Sequence, residues 1–268
     1  MANPTLQDLV SGKNYDTDKS ERYLSHYQDY FGLITGNDVK LLELGVLKGG
    51  SLMLWRDYFP KGTIAGLDLN LIGLDDPTGR IRIYQGLQQD TKLLTAIARE
   101  VAPGGFDIII DDASHVGELT RTAFLHLFEH HLKPGGIYVI EDWRTGYYRN
   151  FVDGRRYSGS RGAGLLRQGF QKWIDSLTRR VEASVRENPG SAGFLKKVLQ
   201  RIRKMSAKRR FKSHDYGMVG FVKELVDELG RDIITSPVGG GSGEQQECKL
   251  LSLEFFPGQV FVVKNTEA

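Results

Sequence analysis

Short apolar runs alternate with amphipathic segments along the first 143 residues of the chain. The runs are rich in β-branched residues and predict five buried parallel strands, at 40–46, 63–68, 81–85, 106–111 and 137–141. Apolar residues at helical spacing predict helices at 18–31, 52–58, 90–100 and 116–132. Strands that alternate with helices in this way indicate an α/β fold with a Rossmann-like, doubly wound and mostly parallel sheet.

After residue 143 the alternation stops, and it resumes only near the carboxyl end. Helices are predicted at 165–185, 194–205 and 218–229, followed by a glycine-rich link at 239–243. Two last apolar runs, 250–256 and 259–264, flank Pro257 and Gly258 and predict a C-terminal antiparallel β-hairpin. We therefore predict three parts: an N-terminal lead-in at 1–37, a core at 38–143 and 249–268, and a basic helical lid or substrate cover inserted at 144–248.

Two pairs of carboxylates follow neighbouring strands: Asp111 and Asp112 end the fourth run, and Glu141 and Asp142 end the fifth. In open α/β sheets, ligands bind at the edge formed by the carboxyl ends of the strands. Mg²⁺ prefers oxygen ligands, so Asp112, Glu141 and Asp142 are candidate ligands for Mg²⁺ or another oxygen-preferring divalent cation. His115 lies just after the first pair and is the candidate general base, because histidine can accept a proton at neutral pH.

Each of these residues also has a structural interpretation. Asp111, and less readily Asp112, could cap the helix predicted to begin near residue 116. Both pairs could simply face solvent, and His115 could be a structural residue at the start of that helix. Two pairs at consecutive strand ends favour a functional role for Asp112. For Asp111, capping the helix and orienting the turn or the cofactor both stay open.

A glycine turn follows the first strand, with Glu43 before Gly45 and two further glycines at 49 and 50. The Gly-x-Gly-x-x-Gly pattern of dinucleotide sites is absent, which argues against a nicotinamide-dependent oxidoreductase. A carboxylate at Glu43 would repel a pyrophosphate but could bind the ammonium group of S-adenosylmethionine. Asp68 ends the next strand, where a carboxylate can accept both hydroxyls of a ribose. The predicted cofactor is therefore S-adenosylmethionine.

Four segments resemble one branch of the class I S-adenosylmethionine-dependent methyltransferases. They are residues 41–60, 86–90, 111–115 and 139–142. This branch is made up of metal-dependent sugar O-methyltransferases, similar to the mycinamicin and rhamnosyl O-methyltransferases, with cephalosporin-hydroxylase-like relatives. The match runs from about residue 18 to residue 150, with a weaker echo in the final hairpin.

The resemblance implies a role for each matching residue. The implied cofactor contacts are Glu43, Gly45 and Ser51 around the methionine part, Asp68 at the ribose, and Gln88 and Asp90 near the adenine. The implied metal ligands are Asp112, Glu141 and Asp142, and His115 is the implied base. Gln88 departs from the acidic residue that is common in the branch, and Ala113 departs from the usual glycine.

Composition narrows the class of protein further. The hydrophobic content of 40% and the charged content of 26% are typical of a soluble globular protein. Cys248 is the single cysteine, which excludes an internal disulfide framework and fits a reducing compartment. Neither a secretory signal nor an apolar run of about 20 residues is apparent, so a cytoplasmic location is predicted.

The charge is unevenly distributed. Residues 155–212 contain 17 Lys and Arg against three Asp and Glu, although the whole chain has a net charge of only +3. This basic segment could be a solvated cover packed on the acidic remainder of the chain. Alternatively, its part at 194–212 could contact an anionic membrane surface, or the segment could bind an acidic polymer or a second copy of the chain in a homo-oligomer. No nucleic-acid-binding motif accompanies it, so a nucleic-acid partner is not predicted.

Taken together, the sequence predicts an enzyme that methylates a hydroxyl of a sugar, a glycosylated metabolite or a polysaccharide, using S-adenosylmethionine and a divalent cation. Two alternatives stay open. One is a catechol-type O-methyltransferase, which uses the same metal chemistry on a phenolic diol but depends less on a base, because phenols have a pKa near 10. The other is an accessory protein that binds the cofactor and a membrane without catalysing a reaction.

Overall fold

Seven strands form a single sheet in the computed structural model, which describes residues 4–157, 197, 214–236 and 246–266. The strands are β1 (Lys40–Leu44), β2 (Thr63–Asp68), β3 (Ile81–Gln85), β4 (Phe106–Asp111), β5 (Leu132–Glu141), β6 (Leu250–Phe255) and β7 (Gln259–Lys264). Their order across the sheet is β3-β2-β1-β4-β5-β7-β6. The first five strands are parallel to their neighbours, whereas β7 pairs antiparallel with both β5 and β6. The predicted fold class is confirmed.

The helices that connect and flank the strands are α1 (Leu6–Gly12), α2 (Glu21–Phe31), α3 (Gly50–Tyr58), α4 (Thr91–Val101), α5 (Gly117–His130), α6 (Gly217–Leu229) and α7 (Arg231–Thr235). Two 3-10 turns, Trp143–Tyr147 and Gly154–Arg156, follow β5. Helix α1 was not predicted. It has only seven residues, too few for a periodic pattern, although Thr5 and Asp8 form a capping box at its start.

Strand β5 is longer than its apolar run predicted. It begins at Leu132 and includes residues 133–136, which lie between the helix predicted at 116–132 and the strand predicted at 137–141. Phe106 pairs with Leu132 and Ile108 pairs with Ile137, so the register between β4 and β5 shifts across the glycine-containing stretch. The ladder therefore accommodates Pro134 and the two glycines as an irregularity within the strand rather than as an end to it.

Two apolar cores lie against the sheet. One contains buried residues of α4, α5 and α6, and the other contains buried residues of α1, α2 and α3. The predicted N-terminal lead-in is therefore packed into the second core, where Tyr27 and Phe31 are fully buried against Trp55. This packing fixes α2 beside the sheet, which matters for the site described below.

Contacts divide the chain into two compact units, 1–156 with 215–268, and 157–214. The helices predicted at 165–185 and 194–205, the glycine-rich link at 239–243 and most of the basic segment lie outside the described residues. The predicted division into lead-in, core and cover stays a prediction. Among the described helices, each is too short or too polar to cross a membrane.

Candidate functional site

The register of the central strands collects the two acidic pairs at one edge of the sheet. Leu44 of β1 pairs with Asp111 of β4, and Asp111 pairs with Ile140 of β5. Asp112 directly follows Asp111, and Glu141 directly follows Ile140, so both carboxylates emerge at the same edge of the sheet. Strand β1 is also where the order of the sheet reverses direction, and clefts at such switch points are the usual ligand sites of α/β sheets.

A cavity of 470 Å³ opens at this edge. The predicted site residues that line it are Gly45, Ser51, Asp68, Asp112, His115, Glu141 and Asp142. Four other predicted residues, Glu43, Gln88, Asp90 and Asp111, are not in its lining. The structure thus brings the glycine turn, the ribose candidate Asp68 and three of the four paired acids around one cavity, while Glu43, Gln88, Asp90 and Asp111 lie outside its lining.

Asp112, His115 and Asp142 form a group suited to a metal ion. Each offers one ligand atom, and these atoms all lie within 4.8 Å of one another. The Nδ1 atom of His115 is buried and has no hydrogen-bond partner in the described part of the chain. Asp112 and Asp142 supply the carboxylate oxygens that the predicted cation prefers. An imidazole nitrogen is a more usual ligand of transition metals, so His115 stays the candidate base beside these two carboxylates.

Lys19 reaches this site from the predicted N-terminal lead-in. Its Nζ lies 2.8 Å from Glu141 Oε1, 3.2 Å from Asp112 Oδ2 and 3.1 Å from Glu43 Oε1, and its side chain is only 2% exposed. Burial works to lower the pKa of Lys19, but the carboxylates of Glu141, Asp112 and Glu43 outweigh it and hold that pKa well above its usual value. Lys19 is therefore a charged, buried counter-ion, and its own neighbourhood in the sequence carries no signal of that role.

Two tyrosines of α2 continue the contacts made by Lys19. The Tyr23 hydroxyl donates to Asp142 Oδ1 at 2.6 Å, and the Tyr27 hydroxyl donates to Glu141 Oε1. Tyr23 and Tyr27 are spaced four apart, which places them in line on one face of α2, and Lys19 lies two residues before the helix begins. That spacing was the available signal, but it could be recognised as part of the site only once α2 was seen beside β5.

The backbone is strained at the cavity. Four non-glycine residues in the described part of the chain have positive φ: Asp16 (49°), Leu47 (48°), His115 (53°) and Asp142 (52°). All four line the cavity. Left-handed backbone is uncommon outside glycine and persists where the surrounding structure holds it, often at functional sites. His115 and Asp142 are therefore aimed by backbone conformations that the free chain would rarely adopt.

The glycine turn packs directly on the end of β4. Gly45 has a φ of 80°, and a Cβ there would lie 2.3 Å from the carbonyl oxygen of Asp112. Asp68 Oδ2 accepts hydrogen bonds from the backbone N–H groups of Val46 and Leu47, at 3.0 and 3.3 Å. The turn and Asp68 therefore form one rigid wall of the cavity, which fits close approach of a ligand to the backbone.

Glu43 lies beneath the cavity. It is fully buried, and its Oε2 accepts hydrogen bonds from Ser51 Oγ at 2.7 Å and from Trp55 Nε1 at 3.2 Å. Its other oxygen faces Lys19. Burial raises the pKa of Glu43, and the Lys19 ammonium opposes this shift. Glu43 thus reaches the cavity through Ser51 and Lys19, both of which line it.

Asp111, Gln88 and Asp90 are engaged with the protein itself. The Gln88 side chain donates to both oxygens of Asp111 at 3.1 and 3.2 Å and accepts a hydrogen bond from the Ser114 backbone. Burial raises the pKa of Asp111 to about 7. Asp90 caps the start of α4. The N-cap of α5 is Val116, whose side chain makes no capping bond, so the alternative that Asp111 caps this helix is wrong.

Comparison with known proteins identifies the fold. No family model matches the chain. The chain is similar to a solved structure of the MycE methyltransferase from the mycinamycin biosynthetic pathway, in complex with Mg, SAH and mycinamycin VI. The match covers 98% of this chain and 54% of the MycE chain, with a TM-score of 0.62 and 27% sequence identity. The chain has the fold of a class I methyltransferase.

Curated methyltransferases are similar in sequence over the same core. The mycinamicin VI 2''-O-methyltransferase of Micromonospora griseorubida is 41% identical over 177 residues, which are 61% of this chain and 43% of that protein. A tetracenomycin rhamnosyl 3'-O-methyltransferase of Streptomyces olivaceus is 40% identical over 178 residues, 63% of this chain and 43% of its own. This confirms the resemblance to sugar O-methyltransferases. The chain spans about half of the length of these relatives or less.

Proposed function

We propose that this chain transfers a methyl group from S-adenosylmethionine to a hydroxyl of a sugar or glycosylated metabolite, with a divalent cation held at the sheet edge. The observation that carries the proposal is the shared lining of the 470 Å³ cavity at the sheet edge, which has the glycine turn and Asp68 together with Asp112, His115 and Asp142. A cofactor and an acceptor that react with each other need such a shared space.

The cofactor would lie along the rigid wall. Its ribose would be held by Asp68, and its methionine part would approach Gly45 and Ser51, with Glu43 acting from below through Ser51 and Lys19. The cavity charge suits a cationic cofactor, because in the described part of the chain Glu43, Asp112 and Glu141 share one buried ammonium, that of Lys19, and Asp142 adds a further carboxylate. Asp111, Gln88 and Asp90 would support the site by fixing the loop after β4 and the start of α4.

Asp112 and Asp142 would hold the divalent cation, with Glu141 behind them. When bound, such a cation lowers the pKa of a coordinated hydroxyl by several units and helps to orient it. His115 would accept the proton of that hydroxyl, since one of its ring nitrogens lies within 4.8 Å of a carboxylate oxygen of Asp112 and of Asp142. Its Nδ1 has no hydrogen-bond partner among the described residues. The remaining contribution is orientation, because methyl transfer requires the acceptor oxygen in line with the sulfonium.

The acceptor class is inferred from the relatives. The curated relatives are named for methylation of sugars on macrolides and tetracenomycins, and the MycE complex contains mycinamycin VI. We extend this to the chain as a glycoside or related glycan. The predicted cytoplasmic location, the homo-oligomer and the membrane contact of 194–212 stay predictions.

The first test is a calorimetric titration of S-adenosylmethionine and of Mg²⁺ into the wild type and into an Asp112→Asn/Asp142→Asn double variant. We expect the wild type to bind both, and the double variant to keep the cofactor but lose the cation, since two of its ligand carboxylates become amides. Asp38→Asn is the matched control, because Asp38 is an exposed acid paired with Lys40 away from the cavity. A wild type that binds the cofactor but no cation, even with a diol-containing glycoside present, would contradict the proposal.

A further inference from the structure

Helix α2 and the short segment before it present three donors to the acidic cluster formed by Asp112, Glu141 and Asp142. Lys19, Tyr23 and Tyr27 each contact at least one of Asp112, Glu141 and Asp142. From this we propose that Tyr23 is a positioning residue for the divalent cation, whose hydroxyl sets the orientation of the Asp142 carboxylate. The inference rests on the proposed function, because it assumes that Asp142 is a ligand of that cation.

The hydrogen bond has the geometry expected for this role. Tyr23 Oη lies 2.6 Å from Asp142 Oδ1, within the range of a hydroxyl that donates to an ionised carboxylate. A carboxylate offers about four acceptor sites, so this bond leaves oxygen lone pairs available to a cation.

The Tyr23 hydroxyl is itself held in place by the C-terminal hairpin. Gly258, in the turn between β6 and β7, has a φ of 105°, and a Cβ there would lie 1.9 Å from Tyr23 Oη. Beside this contact, His26 stacks on Phe256 with ring centroids 3.8 Å apart, and its Nδ1 lies 2.7 Å from Gln259 Oε1. The hairpin therefore fixes α2 from behind, and α2 in turn fixes the carboxylate.

Orientation matters here because the acids repel one another. Among the described residues, Asp112, Glu141 and Asp142 have one buried ammonium beside them, that of Lys19, so without donors their carboxylates would turn apart or toward water. Groups that orient metal ligands from outside typically change metal affinity 10- to 100-fold when they are removed. Asp142 also has left-handed backbone, which limits how its side chain can be aimed without such a donor.

The test compares Tyr23→Phe with Tyr30→Phe. Both tyrosines are half-buried residues of α2, but the Tyr30 hydroxyl donates to Glu254, which is not in the cavity lining. Mg²⁺ alone and S-adenosylmethionine alone are titrated into each variant by calorimetry, and the thermal midpoint is measured without metal. We expect Tyr23→Phe to weaken Mg²⁺ binding about 10- to 100-fold. Its cofactor affinity and its thermal midpoint should match those of Tyr30→Phe.

Each other outcome overturns the inference in a recognisable way. If the wild type and Tyr23→Phe bind Mg²⁺ equally, the hydroxyl does not position a ligand, while the proposed function still stands. If Tyr23→Phe loses metal, cofactor and thermal stability together, its role is structural support. If the wild type binds S-adenosylmethionine but no Mg²⁺, the proposed function fails, and the positioning role fails with it.

Discussion

Lys19 shows how one side chain can control the electrostatics of the site. Its amine is buried among Glu43, Asp112 and Glu141, at distances between 2.8 and 3.2 Å. Bringing several charges out of water is costly, and the attraction between them offsets that cost only while both signs are present. Removal of the single positive charge would leave three carboxylates facing one another without a counter-ion.

We therefore expect Lys19→Met to lower the free energy of unfolding by about 3–5 kcal/mol in the absence of divalent cations. Urea denaturation in the presence of a chelator measures this change. Added Mg²⁺ should restore part of the loss, because a cation in the cluster would replace the missing positive charge. Lys48→Met is the control, since Lys48 and Asp16 form an exposed pair whose loss should cost less than about 1 kcal/mol. Equal effects of the two substitutions would show that Lys19 is not the counter-ion of the cluster.

The sequence predicted the acidic residues of the site, but it did not predict the lysine and the tyrosine that contact them. Asp112 and Asp142 could be found because each follows an apolar run, and the ends of parallel strands meet at one edge. Lys19 is 93 positions from Asp112 in the chain, and Tyr23 is 119 positions from Asp142. No local pattern connects residues so far apart, so their contacts depend on how α2 packs against the sheet.

Two helices that border the site share one capping residue. Asp153 Oδ2 accepts hydrogen bonds from the backbone N–H of Gly117 at the start of α5 and of Met218 near the start of α6, both at 2.8 Å. The N-cap residues of these helices, Val116 and Tyr216, make no capping bond with their own side chains. One distant carboxylate therefore satisfies donors of two helices, and α5 begins two residues after His115.

Asp153→Ala should destabilise the protein by about 1–3 kcal/mol, because two helix starts lose their acceptor and each cap contributes about 0.5–2 kcal/mol. Asp153→Asn should retain most of the stability, since an amide oxygen can still accept these bonds. The measurement is urea denaturation of both variants at neutral pH. If alanine and asparagine destabilise equally, the carboxylate charge matters rather than the hydrogen bonds.

Element bounds followed the apolar pattern wherever the pattern was strong. Strands β2, β3 and β4 have the predicted bounds. β2 and β4 are buried runs that pair on both sides, and β3 is an edge strand that pairs with β2. The pattern failed for α1, which is stabilised by packing against α2 and α3 rather than by its own periodicity. It also failed at the start of β5, where Leu132 pairs with Phe106 ahead of an irregular stretch that contains Pro134 and two glycines.

The response of the whole molecule to acid depends on acids that the fold holds ionised. Asp76 is one that lies away from the cavity and ties the loop before β3 to α3. Burial works to raise its pKa, but hydrogen bonds from Thr78, from the backbone of Ile81 and from Arg56 outweigh this and hold the pKa well below its ordinary value of 3.8. The folded chain therefore binds this proton less tightly than the unfolded chain does.

A lowered pKa gives stability that is complete above the ordinary aspartate range and is lost as the pH falls below it. We expect the unfolding free energy of the wild type to fall from about pH 4 downward. Asp76→Asn should be less stable by about 1–3 kcal/mol at pH 7, through weaker hydrogen bonds, and should lose less between pH 5 and pH 3. Urea denaturation across this pH range tests both expectations. Asp75→Asn, at an exposed neighbouring position, should reproduce the wild-type slope.

The sequence by itself determined the parallel strands of the sheet and the carboxylates that emerge at its edge. Apolar runs define strands because a parallel strand is buried on both faces, and carboxylates directly after those runs must emerge at the carboxyl edge. The tertiary structure decided which groups stand behind those carboxylates. Helix α2 brings Lys19 and Tyr23 to the edge, the hairpin turn at Gly258 fixes α2, and Glu43 is covered by Ser51 and Trp55. These contacts join residues distant in the chain, so they arise from packing between elements and not from any local pattern of residues.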